Sequence, residues 1–160
     1  MRDWMRRNLA TQGYCLSEQD SRAQWLGLRF AGGVCMSLVA VGLALGSPAL
    51  IFTLSVLGLL ASIGPYHPFD YVWNHGVRRL TNGLPVPPTA RGRRFGFRVA
   101  TVWLLAVGVL LAAGATTAGV AAGGLLLVVC APFTLLNLCI PSVALGWWER
   151  HTDHKEAVTT

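Results

Sequence analysis

Two long stretches of this chain, residues 30–69 and 99–148, contain no Asp, Glu, Lys or Arg. The charged side chains, 13 basic and 7 acidic, all fall in residues 1–29, 70–98 and 149–160. A soluble domain carries about a quarter charged residues, whereas here they are 12% and the mean hydropathy is +0.50, which excludes an ordinary soluble globular protein. Each uncharged stretch is roughly twice the ~20 apolar residues that one helix needs to cross the hydrocarbon core. Each is also interrupted near its middle by Gly, Ser, Pro or Thr, so each reads as a helical hairpin. The expected fold class is therefore all-α: a polytopic membrane protein with four transmembrane helices in two hairpins, plus a short interfacial helix. A cleavable signal peptide is not expected either, because residues 1–29 are polar and the first apolar run is too late and too long for an h-region. No complete catalytic constellation, cofactor motif or metal-ligand spacing is present either.

The spans are expected over about 28–45, 49–63, 95–113 and 117–148, with residues 1–27 as an N-terminal segment and 149–160 as a tail. Ser17-Glu18-Gln19-Asp20 has the form of a capping box, so a helix is expected to start there and run past Arg22, Trp25 and Arg29 along the interface into the first span. Pro48 suits the start of the second helix. The last stretch is long for one span, so kinks are expected at Pro132 and Pro141. With four spans, the termini and the central loop share one side and the two hairpin turns share the other. All 13 Lys and Arg residues lie on the first side, which the positive-inside rule makes cytoplasmic. The same placement assigns the net charge of +6 to anionic lipid headgroups, not to nucleic acid. Arg91, Arg93 and Arg94 form the basic anchor of the third span, and Arg98 snorkels from one turn deeper.

The central loop is the most distinctive segment. Phe69, Val72, Trp73, Val77 and Leu80 recur at helical spacing and predict an interfacial helix over 67–80. Asp70, Asn74, His75 and Arg78 point elsewhere, and with His67 and Arg79 they form the candidate interaction surface. Pro68 and Asp70 suit its first turn, and residues 84–88, Leu-Pro-Val-Pro-Pro, favour an extended spacer. His67, Asp70 and His75 have ligand chemistry, but their spacing matches no metal motif; capping and hydrogen bonding to the bundle ends explain them better.

Among the cysteines, Cys130 and Cys139 are nine residues apart, which on an unbroken helix is ~13 Å along the axis and on opposite faces. Cys35 and Cys139, in contrast, lie at similar depth from the same boundary, and on a reducing side they should be free thiols. Asn137, beside Cys139 and before Pro141, is a polar group at a depth where such groups bind helices together or do chemistry. Cys139, assisted by Asn137 and Cys35, is the candidate reactive thiol. Gly42-x-x-x-Gly46 and Gly119-x-x-x-Gly123 permit close helix approach, within the bundle by preference and in a homo-oligomer as the alternative.

The paired hairpins around a basic loop, Arg93-Arg94-Phe95 at the third span and Leu138-Cys139-Ile140-Pro141-Ser142 near the end of the fourth, resemble the small bacterial membrane family labelled domain of unknown function number four-three-nine-five, over about residues 28–148. The family resemblance implies a Cys-x-x-Cys-like pair at this last site, where Ser142 stands in the second position, so only Cys139 carries over. A more remote likeness in size and topology links the chain to DoxX-type four-helix proteins, some associated with sulfur or thiol oxidation. The function expected first is an accessory or scaffold subunit without catalysis of its own, presenting its basic loop to a membrane or cytoplasmic protein partner. The alternatives are a thiol or sulfur redox component using Cys139, and a small-molecule carrier; the carrier is disfavoured because the spans hold no buried acid or base beyond Arg98.

Overall fold

The computed structural model describes residues 7–10, 12–15 and 17–148, with the backbone alone at 18, 21 and 22. The tail over 149–160 and the expected interfacial position of the Arg22 side chain lie outside the described residues. After a helical turn at 7–10 come α1 (Glu18–Ala23), α2 (Trp25–Ala44), α3 (Pro48–Ile63), α4 (Pro68–Val72), a π turn (Trp73–Val77), α5 (Arg78–Thr81), α6 (Arg91–Ala112), α7 (Thr116–Leu136) and α8 (residues 140–148). The described residues form no strand.

The ends of these helices follow from local chemistry. Ser17 Oγ accepts the Asp20 N–H at 3.1 Å and donates to the Asp20 carboxylate at 2.6 Å, which forms the expected cap of α1. A turn at Gln24 then separates α1 from α2, so the two are not one continuous helix. Ser47 Oγ accepts the Leu50 N–H at 3.4 Å, and Pro48 begins α3 where its missing donor costs nothing. Both hairpin turns use one device. Gly46 (φ +58°) and Gly114 (φ +79°) adopt the left-handed conformation, and the next residue donates to a carbonyl five positions back, Ser47 to Gly42 at 2.9 Å and Ala115 to Leu110 at 2.9 Å.

Helices α2, α6 and α7 are each long and apolar enough to cross a membrane. With 16 residues, α3 is about 24 Å long, short of the ~30 Å hydrocarbon core; it qualifies only together with the loop helices, which are bent from it by 80°. Side chains such as Leu45, Val102, Val109, Leu125 and Val128 face outward and are exposed. An apolar surface this extensive suits lipid and not water. The protein is a helical multi-pass membrane protein.

Lipid tails are as apolar as leucine, so the helices must be joined by close packing and polar contacts. The most extensive contact is α3 on α6, and α7 packs on both α2 and α6. A Cβ on Gly42 would come within 2.9 Å of Ile51, one on Gly119 within 2.7 Å of Leu111 and one on Gly123 within 2.4 Å of Leu43, so three of the four motif glycines serve contacts inside the protein. Between helices, Ser55 Oγ donates to Thr101 O at 3.1 Å and Trp103 Nε1 to Ala122 O at 3.0 Å.

The final stretch departs from expectation. Residues 117–148 are not one helix kinked at two prolines: Pro132 sits inside α7, but the break comes at Asn137, which is left-handed at φ 51°. Its N–H bonds to Phe133 O at 2.9 Å and that of Leu138 to Pro132 O at 3.1 Å. Asparagine tolerates this conformation better than other side-chain-bearing residues. Pro141 lies in the first turn of α8, where Val143 N–H bonds to Cys139 O at 3.1 Å.

A thiol-lined cavity as candidate functional site

The central loop folds back on the end of the bundle. His67 and Asp70 cap its first turn reciprocally: the Phe69 N–H donates to His67 Nδ1 at 3.1 Å, and the His67 N–H to Asp70 Oδ2 at 3.1 Å. Trp73 is 1% exposed; it packs against Phe30 at 5.4 Å between centroids and donates from Nε1 to Leu84 O at 3.1 Å. Asn74 clasps the strand-like spacer from both sides, accepting the Val86 N–H at 2.8 Å and donating to Val86 O at 3.3 Å. The spacer is thus a strap tied across the loop helices. The expected faces are exchanged in part: Asp70 is buried, whereas Val72 and Leu80 are exposed. Asp70 turns inward because its carboxylate caps the His67 N–H, and the π turn shifts the register of Leu80, which follows it.

This strap holds His67 over the bundle. Because Nδ1 accepts a backbone donor, the proton of the neutral ring is on Nε2, which lies 3.5 Å from Cys35 Sγ. Burial, reinforced by the Arg93 charge, pushes His67 down to about 4, so the ring is neutral at pH 7. Burial pushes Asp70 up, against the opposing pull of Arg93 and of the His67 N–H. A neutral Nε2–H donor cannot take the Cys35 proton, so the pair is a hydrogen bond and not an acid–base dyad.

Arg93 overturns its expected role most clearly. Instead of reaching lipid headgroups it is 2% exposed, donating to Leu28 O at 2.8 Å and to the Tyr14 hydroxyl at 3.3 Å. Its guanidinium lies over the rings of Phe97 at 5.6 Å and Phe133 at 5.0 Å. Arg91 and Arg98 are exposed, and Arg94 donates to Thr89 O at 3.1 Å. The spans therefore do hold a buried base, Arg93 in α6, contrary to the expectation of none beyond Arg98.

Beside Arg93 lies a cavity of about 130 Å³ between α2, α3, α6 and α7. His67, Arg93, Cys35, Cys130 and Cys139 all line it, and the rest of the wall is largely apolar. The four cysteines are free thiols, Cys15 exposed and Cys139 buried. The break at Asn137 turns Cys139 back toward α6, where a Cβ on Gly96 would come within 2.9 Å of Cys139 Sγ. This is how Cys130 and Cys139, placed on opposite faces by an unbroken helix, come to line one space. Cys139 also lies within electrostatic range of Arg93.

Asn137 does not line the cavity. It is buried, its carbonyl accepts from Gln12 Nε2, its Nδ2 donates to Trp25 O at 3.5 Å, and its Oδ1 has no partner; it shapes the chain beside the thiol. Ser142 donates to Gly92 O at 2.8 Å, which ties α8 to α6. His75 is exposed and stacks on Tyr71 at 6.2 Å, away from His67 and Asp70. Arg78 bonds Asn74 O at 2.6 Å, and Arg79 is exposed. Among the described residues, no group of three or more His, Cys, Asp or Glu side chains is placed to hold a metal ion. Sequence reasoning missed the N-terminal segment: Leu9, Gln12 and Tyr14 are buried against this end, and Gly92, where a Cβ would stand 3.0 Å from the Gln12 carbonyl oxygen, admits the backbone. The segment holds no run of apolar residues long enough to signal burial.

A family model described as Domain of unknown function (DUF4395) matches residues 26–150, and the chain belongs to this family. No curated protein matches the chain, and no solved structure does.

Proposed function

We propose that this member of the family is a four-span protein of the bacterial inner membrane whose working group is the Cys139 thiol, open to a small molecule in the cavity. The membrane domain covers 28–148, with cytoplasmic flanks at 1–27 and 149–160. The orientation is supported by contacts that gather the N-terminal segment, the central loop and residues 137–142 at one end, Gln12 with Asn137 and Arg93 with Tyr14 and Leu28 among them. The turns at Gly46 and Gly114 then share the other end, and neither carries a basic residue. Arg91, Arg94 and Arg98 serve the headgroup layer.

The observation that carries the thiol reading is the break at Asn137, which sets Cys139 on one cavity with Cys35 and Cys130 beside a buried guanidinium. The chemistry that needs only these groups is thiol–disulfide exchange. Cys139 gives up its proton and its sulfur attacks a small-molecule disulfide; one S–S bond forms as the other breaks, and the leaving thiolate takes up a proton. No further oxidant enters the balance. The test is mass spectrometry of Cys139 in membranes quenched with acid and alkylated, after challenge with a small disulfide and then a small thiol. The reading expects a mixed or internal disulfide at Cys139 that the thiol reverses, and its loss in Cys139→Ser at unchanged membrane levels. A Cys139 that stays reduced throughout would refute it.

One observation favours the accessory-subunit reading as a second. The outer face of the loop helices presents Tyr71, Val72, Arg79 and Leu80, all exposed, with Leu80 at 87%. Co-purification of a stable partner from mild detergent, lost in Leu80→Asp, would support it; an unchanged partner set would not.

A further inference from the structure

Resting on the thiol reading above, the inference concerns what reaches Cys139 and by which route. The polar groups along the cavity wall are already engaged. His67 Nε2 lies against Cys35 Sγ at 3.5 Å and Thr101 Oγ1 donates to Phe97 O at 2.8 Å. Arg93 donates to Leu28 O and the Tyr14 hydroxyl, its Nε is buried, and Asp70 stands within electrostatic range as its counter-charge. What remains to meet a ligand is almost wholly apolar: Val39, Leu104, Leu126 and Phe133, with the thiols and the Met36 thioether. A charged or hydroxyl-bearing molecule would give up its water here and gain no partner in return. The cavity is also not sealed. Val99 and Ile140 line it, yet they are 36% and 44% exposed, so the cavity meets the outer surface between α6 and the start of α8. Val102, one turn along α6, and Val143, one turn along α8, are exposed too and continue the apolar surface that suits lipid.

We propose that the cavity opens sideways into the bilayer, between Val99 and Ile140, and takes a small, neutral, apolar disulfide dissolved there. At about 130 Å³ it is close to the size of an apolar cavity that holds a benzene ring, which limits the ligand to about that bulk. Hydrophilic disulfides are excluded, since the wall offers them no hydrogen-bond partner. The exchange balances within the site. Cys139 gives up its proton as its sulfur bonds to one sulfur of the disulfide; the S–S bond breaks, and the departing sulfur takes up that proton. The released thiol is again small, neutral and apolar, so it leaves by the way the disulfide came.

The test uses the full chain in nanodiscs and two disulfides of similar size, diethyl disulfide and its hydroxyl-bearing counterpart bis(2-hydroxyethyl) disulfide, with the exposed Cys15 as the internal reference for each. The readout is the rate at which each cysteine loses its alkylation site, by mass spectrometry of acid-quenched protein. The ratio of the Cys139 rate to the Cys15 rate should be about tenfold or more higher for diethyl disulfide than for bis(2-hydroxyethyl) disulfide. Val99→Trp and Ile140→Trp, each of which places a large ring at the opening, should slow the reaction of Cys139 with diethyl disulfide severalfold and leave that of Cys15 unchanged. Should neither variant accumulate, the ratio on the wild-type protein still decides. Equal ratios for the two disulfides, or a Cys139 rate untouched by both tryptophans, would overturn the sideways entry of an apolar disulfide and leave the thiol reading standing. A Cys139 that reacts with neither disulfide while Cys15 reacts would overturn the thiol reading itself.

Discussion

Trp73 holds the loop over the cavity, so its removal should unfasten the whole site. The ring is 1% exposed in a cluster with Leu9, Tyr14, Leu28 and Val86, and its fit is tight enough that a Cβ on Gly27 would lie 2.8 Å from Nε1. Trp→Ala in a packed site costs ~3–5 kcal/mol. The Leu84 carbonyl also loses its 3.1 Å donor, about 1 kcal/mol more. At ~2–4 °C per kcal/mol for a chain of this size, Trp73→Ala should lower the melting temperature by roughly 8–24 °C. Trp73→Phe, which keeps most of the packing and loses the donor, should lower it by only a few degrees. Leu80→Ala should change it little, since Leu80 is 87% exposed. Circular dichroism melts in nanodiscs, which do not depend on tryptophan emission, read all three. If Trp73→Ala melts within about 2 °C of Leu80→Ala, the strap does not hold the loop and the reasoning fails.

Three further outcomes are expected. His67 has a depressed proton affinity when folded, so the unfolded chain binds the extra proton and stability is lost as pH falls from about 6.5 toward about 4; Asp70, raised by burial, acts with the opposite sign. The conservative replacement His67→Asn keeps a capping acceptor, so the stability difference between it and wild type should move against wild type across that window, and a pH-independent difference in chemical denaturation would contradict the assignment. Asn137→Gly should be tolerated, since glycine accepts the left-handed backbone, whereas Asn137→Val should lose about 2 kcal/mol and alter Cys139 labelling; identical behaviour of the two would place the break elsewhere. Reporter fusions within residues 115–117 should be active outside and fusions at Thr160 inside, and the reverse result would remove the four-span orientation.

The sequence made the membrane class legible because a missing charge over forty or more residues leaves few alternatives, and glycine-marked turns divide the hairpins. It also marked the loop helix, through Pro68 and the aromatic spacing around Trp73. The site itself was harder to read. Cys139 stood out by its neighbours, but its placement depends on a left-handed Asn137, and an αL asparagine looks in sequence like any polar residue in a long apolar run. Arg93 sits among Arg91 and Arg94, and composition cannot tell which of three neighbouring arginines turns inward; that depends on Tyr14, 79 positions away, meeting its guanidinium. The burial of Asp70 was hidden because it follows from capping the His67 N–H, which a pattern of apolar spacing does not register, and the exposure of Leu80 follows a π turn.

The central claim is that the chain breaks at Asn137 and delivers Cys139 to the wall that α6 presents to the cavity. A direct measurement is a disulfide trap: Gly96→Cys in a background with Cys15, Cys35 and Cys130 replaced by serine. The Cβ of residue 96 would stand 2.9 Å from Cys139 Sγ, close to the roughly 3 Å that separates one half-cystine Cβ from its partner's sulfur when the S–S bond is about 2.0 Å. Mild oxidation of nanodisc-embedded protein should therefore link the two cysteines within one chain, read by mass spectrometry as the loss of two hydrogens and of both alkylation sites. If Cys139 instead remains fully alkylatable under conditions that oxidise exposed thiols, the chain does not turn at Asn137 as described and the thiol-lined cavity does not exist.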